Sequence, residues 1–174
     1  QATLEGTPAE PAPSDVEEGE SGTWVELYNK GAETVDLSGW VFDRGISYTF
    51  AQGTSLAAGQ YLVVAGDRDA LAAQFPEAPI VGDFRGRLAN EGERVRLRDA
   101  RGNLIDEIRY YDGGTWPLAA DGGGSSLELR DPEADNNCGA AWAASDLRAD
   151  SSSAAEACRS ARAARAPAPS LPHR

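Results

Sequence analysis

The side chains with the best chance of doing acid–base chemistry are few and badly placed. The single histidine, His173, is next to last in a proline-containing segment, where nothing would hold an imidazole against a substrate. Nucleophile–histidine constellations, phosphate-binding loops, dinucleotide fingerprints and zinc-ligand spacings are absent from the sequence. Two carboxylates can hydrolyse a glycoside, but with 28 Asp and Glu residues any chosen pair is arbitrary. We therefore predict no catalytic residue and no enzyme activity.

Oxygen ligands cluster in two acidic segments. Hard oxygen donors on loops that contain Gly and Pro suit Ca²⁺. Neither segment has the EF-hand spacing, and solubilising turns explain the same composition. The candidate metal ligands are Asp15, Glu17, Glu18 and Glu20 in the first segment, and Asp131 and Asp135, with Glu133, Asn136 and Asn137, in the second. Calcium is therefore an alternative hypothesis, and no other cofactor is predicted.

The two cysteines, Cys138 and Cys158, both lie late in the chain and lack a metal-type spacing. An even count of this kind predicts one disulfide in an oxidising compartment, with two free cytosolic thiols as the alternative. Such a bond closes a loop of 21 residues and stabilises by about 3 kcal/mol in the chain-entropy treatment. We expect it to hold the C-terminal extension against the preceding domain.

Charge is distributed unevenly along the chain. The formal net charge of −12 argues against duplex nucleic acid as the main partner. Residues 1–22 carry six acids and no Lys or Arg, whereas residues 159–174 carry four arginines and no acid. These arginines, the candidate interaction residues, are Arg159, Arg162, Arg165 and Arg174. Opposite charges at the two ends favour head-to-tail association of copies, and inert solvated termini are the alternative.

Short alternating segments separated by turn residues dominate the centre of the sequence. We predict strands at residues 24–29, 35–42, 47–50, 60–65, 94–98, 104–110 and 126–130, with a first edge strand at residues 2–5. Residues 60–65 form an apolar run typical of a strand buried on both faces, and residues 67–75 predict a short capped helical turn. Strands at this spacing, with little helix, indicate a β-sandwich rather than a parallel βαβ sheet.

The composition changes after Trp142. A capping-box pattern at residues 153–156 and the alanine-rich run behind it predict a short helix, which three prolines then end. We therefore divide the chain into a sandwich domain, residues 1–147, and a C-terminal extension, residues 148–174. No segment of the sequence has the 18 or so consecutive apolar residues of a membrane span.

Several motifs, in order, resemble the lamin tail domain family in its bacterial, secreted form. The segments at residues 24–29, 35–40, 56–64 and 88–97 carry the resemblance, followed by residues 99–106, Trp116-Pro117, residues 126–128 and 135–137, and Trp142. The resemblance covers roughly residues 2–147. Residues 145–147 depart from it, because the family often closes on a Gly-Thr-Pro-Gly-type segment after the last Trp.

The resemblance implies an all-β, immunoglobulin-like sandwich. Its recognisable residues hold the fold and mark no catalytic site; those assigned structural roles are Trp24, Gly39, Trp40, Trp116 and Trp142. Trp40 is expected to fill the space between the sheets. Gly39 is expected to allow close backbone approach, and Asp36 to bind turn amides.

A function outside catalysis follows from these observations. The chain has no methionine and begins at Gln1, which predicts a processed protein secreted to the extracellular space or cell surface; trimming for expression is the alternative. The leading hypothesis is a structural interaction module that self-assembles head to tail into an extracellular filament through its terminal segments. The alternatives are a ligand-binding accessory domain of a larger surface or hydrolytic protein, with another surface protein as partner, and a calcium-dependent adhesion domain.

Overall fold

Two β-sheets face each other across a shared apolar core. The computed structural model describes residues 23–118 and 126–145. The strands are β1 (Trp24–Tyr28), β2 (Val35–Asp36), β3 (Val41–Arg44), β4 (Ile46–Thr49), β5 (Ser55–Leu56), β6 (Tyr61–Ala65), β7 (Ile80–Gly82), β8 (Arg85–Gly86), β9 (Arg94–Arg98), β10 (Leu104–Arg109), β11 (Leu127–Leu129) and β12 (Trp142–Ala144). One helix, α1 (Arg68–Gln74), and one 3-10 turn at Gly139–Ala141 complete the described elements. The predicted all-β sandwich is confirmed.

The larger sheet has five strands in the order β10-β9-β3-β4-β8, and its neighbouring strands are all antiparallel. Strict alternation in β9 buries Val95 and Leu97 and turns three arginines to the opposite face. The predicted β9–β10 hairpin is confirmed, and Asp99 fastens its turn by accepting backbone N–H bonds from Arg101 and Asn103.

The smaller sheet has three strands in the order β1-β6-β7. The pairing of β1 with β6 is antiparallel, but β6 and β7 run parallel, with α1 connecting them. The predicted helical turn is confirmed, since the Asp67 side chain accepts the Ala70 N–H as an N-cap. The parallel pair was not predicted. Burial of β6 on both faces was wrong at its first residue, because Tyr61 points outward and is 47% exposed.

Aromatic and aliphatic side chains from both sheets fill the core. Phe50, Phe84 and Val64 are almost completely buried, and Phe50 lies edge-on to Tyr48 with ring centroids 5.0 Å apart. Trp40, expected between the sheets, is only partly buried and packs against the margin of this core. The Trp40 N–H bonds the Leu37 carbonyl within a turn, and the Leu37 side chain is buried in the core.

The β11–β12 ribbon closes one edge of the sandwich. Asn137 bonds the β10 backbone twice: its Oδ1 accepts the Arg109 N–H at 3.0 Å, and its Nδ2 donates to the Glu107 carbonyl at 2.8 Å. Glu133 forms an ion pair at 3.9 Å with Lys30, which follows β1 of the other sheet. Residues 126–145 therefore connect to both sheets. Strand β12 was not predicted, because its alanines show no clear alternation.

Several predictions fall outside the described residues. These are the edge strand at residues 2–5, the helix after residue 153, and the domain boundary at residue 147. Within the described residues, no helix is both long enough and apolar enough to cross a bilayer.

Candidate interaction surfaces

The outward side of the five-stranded sheet carries a row of arginines, here called the arginine face: Arg94, Arg96 and Arg98 of β9, with Arg44 of β3 and Arg109 of β10. Asp43 organises the centre of this face. Its carboxylate accepts two bonds from Arg96, at 2.7 and 3.0 Å, and one from Arg98 at 2.9 Å. The Arg96 hydrogen bonds, with a smaller contribution from Arg98, hold the pKa of Asp43 below its usual range. One carboxylate thus fixes the orientation of two guanidinium groups.

One end of the arginine face is concave. Arg44, Arg94 and Arg109 line an open cavity of about 290 Å³, together with Gly92 and Glu93. Glu107 neutralises part of the charge, with an oxygen 3.3 Å from an Arg94 nitrogen. The Arg109 guanidinium lies 5.0 Å from the centre of the Tyr111 ring, and no ion pair engages Arg44 within the described residues. This arrangement suits a carboxylate, sulfate or phosphate group.

The outward side of the three-stranded sheet has a different chemistry and is here called the aromatic face: Trp24, Glu26 and Tyr28 of β1, with Tyr61 and Val63 of β6. Register places Tyr28 opposite Tyr61, and their ring centroids are 4.6 Å apart. Trp24 and Tyr28 each keep 39% of their surface exposed. Three large exposed rings on a regular sheet form a surface typical of a protein-binding site.

Glu26 lies between Trp24 and Tyr28 on this face. Its carboxyl is partly withdrawn from water, and this desolvation, followed by repulsion from Glu128 of β11, raises its pKa above the usual range. Within the described residues neither carboxylate forms a hydrogen bond or ion pair through its side chain. A desolvated carboxylate beside aromatic rings is an environment that favours a bound cation, because it supplies both ionic and cation–π attraction.

The predicted calcium ligands do not form a cluster in the described part of the chain. Asp131 and Asp135 each accept a backbone N–H two residues ahead, from Glu133 and Asn137 respectively, as turn residues do. No group of three or more His, Cys, Asp or Glu residues converges within residues 23–118 and 126–145. The other acidic segment, with Asp15, Glu17, Glu18 and Glu20, lies outside the described residues.

The residues assigned structural roles divide into two sets. Gly39 adopts φ +71°, and an added Cβ would lie 3.4 Å from the Ala100 Cβ, so the turn needs glycine there. Trp116 and Trp142 pack together beside the β11–β12 ribbon, with ring centroids 6.0 Å apart, and the Trp142 indole N–H donates to the Asn136 carbonyl. Trp24 lies on the aromatic face with 39% of its surface exposed, and its structural role stays a prediction.

The cysteines and the basic arginines are only partly described. Cys138 immediately precedes the 3-10 turn at Gly139–Ala141, but Cys158 lies outside the described residues, so the disulfide between these two cysteines stays a prediction. Arg159, Arg162, Arg165 and Arg174 also lie outside them.

Comparison with known families settles the classification. The lamin tail domain model matches residues 9–112, more than half of the chain. The chain belongs to the lamin tail domain family. A search of curated proteins finds no match. This lamin tail domain is an immunoglobulin-like module of a non-catalytic family, and its described strands agree with that fold. The family match ends before the β11–β12 ribbon, although the sequence resemblance reached residue 147.

Sequence reasoning did not identify either face as a site. The signal for the arginine face is the alternation of arginine with apolar residues over residues 94–98, which leaves every cation on one side. The signal for the aromatic face is the same alternation in β1, with Trp, Glu and Tyr on the exposed side. The partners across the strands, such as Tyr61 and Glu128, depend on register and could not be read from spacing.

Proposed function

We propose that this lamin tail domain is a non-enzymatic structural module that binds copies of itself head to tail and builds an extracellular filament. The observation that carries this proposal is the opposite charge of the two terminal segments, and the difference between the two sheet faces supports the same head-to-tail polarity. One outward face is rich in arginine, and the other combines aromatic rings with Glu26, which is repelled by Glu128 of the β11–β12 ribbon.

Unlike faces support a propagating assembly over a closed dimer. An isologous dimer buries the same patch on both copies, so like charges would meet on either face. A heterologous contact avoids that repulsion, and repetition of it gives a linear chain of copies. The charges of the terminal segments, six acids in residues 1–22 and four arginines in residues 159–174, support the same polarity.

The test is negative-stain electron microscopy of the purified chain, intact and truncated after Leu147. We expect regular filaments from the intact chain and single particles from the truncated one. Sedimentation velocity over a range of protein concentrations gives the same comparison in solution. Monomeric particles in both samples, at every concentration tested, would show that the chain does not assemble.

The arginine face favours a second candidate, an accessory domain that recognises an anionic ligand. Arg44 and Arg109 line the cavity without an ion pair in the described residues, and anionic glycans or acidic proteins carry suitable groups. Binding of heparin, as an anionic glycan probe, should weaken at least tenfold in Arg44→Ala/Arg109→Ala and stay unchanged in Arg68→Ala. Equal affinity in the two variants would argue against this site.

Calcium-dependent adhesion is the third candidate, supported by the acidic residues Asp15, Glu17, Glu18 and Glu20 of the first segment. A rise in melting temperature with CaCl₂ that EDTA reverses is the expected result. The two cysteines of the sequence support secretion, because a disulfide between them would persist in an oxidising compartment.

A further inference from the structure

We infer that the aromatic face is the docking surface for the arginine- and proline-containing segment 159–174 of this chain, here called the basic segment. The inference rests on the proposed function, in which the basic segment comes from a neighbouring copy. Beyond the proposed function, the aromatic face is then the binding site of the basic segment, and the side chains of that face are the ones that contact it.

The carboxylates of the aromatic face define the charge of the occupant. Glu26 lies on the exposed side of β1 between Trp24 and Tyr28, and desolvation, followed by repulsion from Glu128 of β11, raises its pKa. Within the described residues no Lys, Arg or His pairs with either carboxylate. A cation placed between the two carboxylates would relieve their repulsion and replace part of the water that Glu26 has lost. The occupant is therefore basic.

The rings of the aromatic face favour arginine over lysine as that cation. A guanidinium group stacks flat on Trp or Tyr and still donates hydrogen bonds to a carboxylate at the ring's edge, whereas a lysine ammonium is more strongly hydrated. Trp24 and Tyr28 lie on either side of Glu26 along β1, and Tyr61 packs beside Tyr28. Proline also binds well to such rings, because its fixed backbone costs little entropy on docking.

The chain itself contains a segment of this composition. Residues 159–174 carry Arg159, Arg162, Arg165 and Arg174, and no acid, with prolines at positions 167, 169 and 172. Lys30 is the only lysine of the sequence, and it already pairs with Glu133. The charge complement of +4 against the two carboxylates supports the basic segment as the occupant.

The reach of the chain permits this docking. Ser145 is the last described residue, and Arg159 follows it by 14 positions. A stretch of that length spans at most about 45 Å when fully extended. The Ser145 N–H bonds the Ser126 carbonyl, two residues before Glu128, so the described chain ends close to one of the two carboxylates.

A charge-swap cycle in the full-length chain tests the pairing. The first variant reverses the face, Glu26→Arg/Glu128→Arg, the second reverses the basic segment, Arg159→Glu/Arg162→Glu/Arg165→Glu, and the third combines both sets. Each single reversal should weaken self-association at least tenfold in sedimentation velocity, and the combined variant should recover most of it. Glu91→Arg, an exposed acid on the β8–β9 connection, is the matched control and should assemble normally.

Recovery in the combined variant separates a direct contact from misfolding, because a misfolded chain would not regain assembly. Self-association that both single reversals leave intact would overturn the docking site and leave the proposed function standing. Assembly lost in both single variants and not restored in the combined one would also overturn it.

A second measurement keeps the two proposals distinguishable. If the intact chain stays monomeric, the proposed function fails, and trypsin cleavage at Arg159, Arg162 and Arg165 then reports on the docking. Slower cleavage in the wild type than in Glu26→Arg/Glu128→Arg, by threefold or more, supports docking within one copy. Equal cleavage rates in a monomeric chain would overturn the inference as well.

Discussion

Asn29 is the one buried polar side chain among the described residues, with 7% of its surface exposed. Its Nδ2 donates to the Glu33 carbonyl at 2.8 Å and to the Leu56 carbonyl at 2.9 Å, while its Oδ1 accepts the Gly31 N–H at 2.9 Å. One amide therefore ties the turn after β1 to β5. The Asn29 side chain therefore holds both the turn that follows β1 and the backbone of β5 in place.

Replacement of Asn29 by Ala should lower the free energy of unfolding by about 3 kcal/mol, because three backbone groups lose a partner at a buried site. Urea unfolding followed by tryptophan fluorescence measures the change. Asn103→Ala, which removes an exposed amide bonded to Asp99, is the control and should cost less than about 1 kcal/mol. Similar losses in both variants would show that burial does not set the cost.

Asp43 should make the stability of the domain depend on pH. Hydrogen bonds from Arg96 hold its pKa below the usual range, so its stabilising contribution is present above the ordinary Asp pKa of about 3.9. This contribution is lost as the pH falls through the lower pKa of the folded state. The site is exposed, and solvent screening limits the effect to about 1 kcal/mol.

The corresponding test compares Asp43→Asn with the wild type by thermal unfolding from neutral pH to about pH 2. The variant should be less stable at neutral pH, and the difference should shrink as the acid limit is approached. A difference that stays constant over this range would mean that the Asp43 charge does not stabilise the folded state.

At the scale of elements, the tight turn between β3 and β4 depends on Gly45. This residue adopts φ +78°, and an added Cβ would lie 2.8 Å from the Arg94 carbonyl of the neighbouring strand β9. Gly53 has nearly the same backbone angle, φ +83°, but an added Cβ there meets nothing within 4 Å. Alanine substitutions at the two glycines therefore distinguish two destabilising effects. Gly53 reports only the strain of a positive φ, whereas Gly45 adds a steric clash with the backbone.

Gly53→Ala should lower the free energy of unfolding by about 1 to 2 kcal/mol, the ordinary cost of a left-handed alanine. Gly45→Ala should cost at least about 2 kcal/mol more, because β3 and β9 must move apart to admit the methyl group. Equilibrium unfolding in urea gives both values. Equal decreases in the free energy of unfolding would indicate that the backbone near Arg94 moves to accommodate the methyl group without an energetic penalty.

The longer strands were predicted from the sequence. Strands β1 and β9 alternate, β6 lies in an apolar run and β10 forms a hairpin with β9, and the structure agrees with all four to within a residue or two. The missed strands β5 and β8 contain two residues each, too few for a period to be visible. Strand β7 was missed because a parallel partner across α1 is a tertiary contact, which no local pattern records.

The same limit applied to the candidate site. The outward-facing residues of β1 and β9 follow from alternation alone, but their neighbours on other strands do not. Which face of the sheet a residue lies on follows from the alternation within its own strand and can be read from the sequence. Which residues lie beside it on neighbouring strands depends on the pairing register and can be read only from the folded sheet.

At the scale of the whole molecule, the question is how the C-terminal extension is attached to the sandwich. Cys138 lies between Asn137, which bonds the β10 backbone, and the 3-10 turn that leads into Trp142. A disulfide from this position to Cys158 would place the neighbouring Arg159 beside the folded domain. The basic segment would then begin at a fixed point, and less entropy would be lost when it docks.

This argument predicts a measurable effect of the disulfide on both stability and assembly. Cys138→Ser/Cys158→Ser should lower the free energy of unfolding by about 3 kcal/mol, from the chain-entropy cost of the opened loop of 21 residues. The same variant should self-associate more weakly in sedimentation velocity, because its basic segment starts from a longer and looser tether. Alkylation with iodoacetamide before reduction, read by intact mass, first establishes that the wild-type thiols are paired. A wild-type chain that takes up two labels would exclude the bond, and a fully oxidised chain whose variant assembles as well as the wild type would show that the attachment does not guide docking.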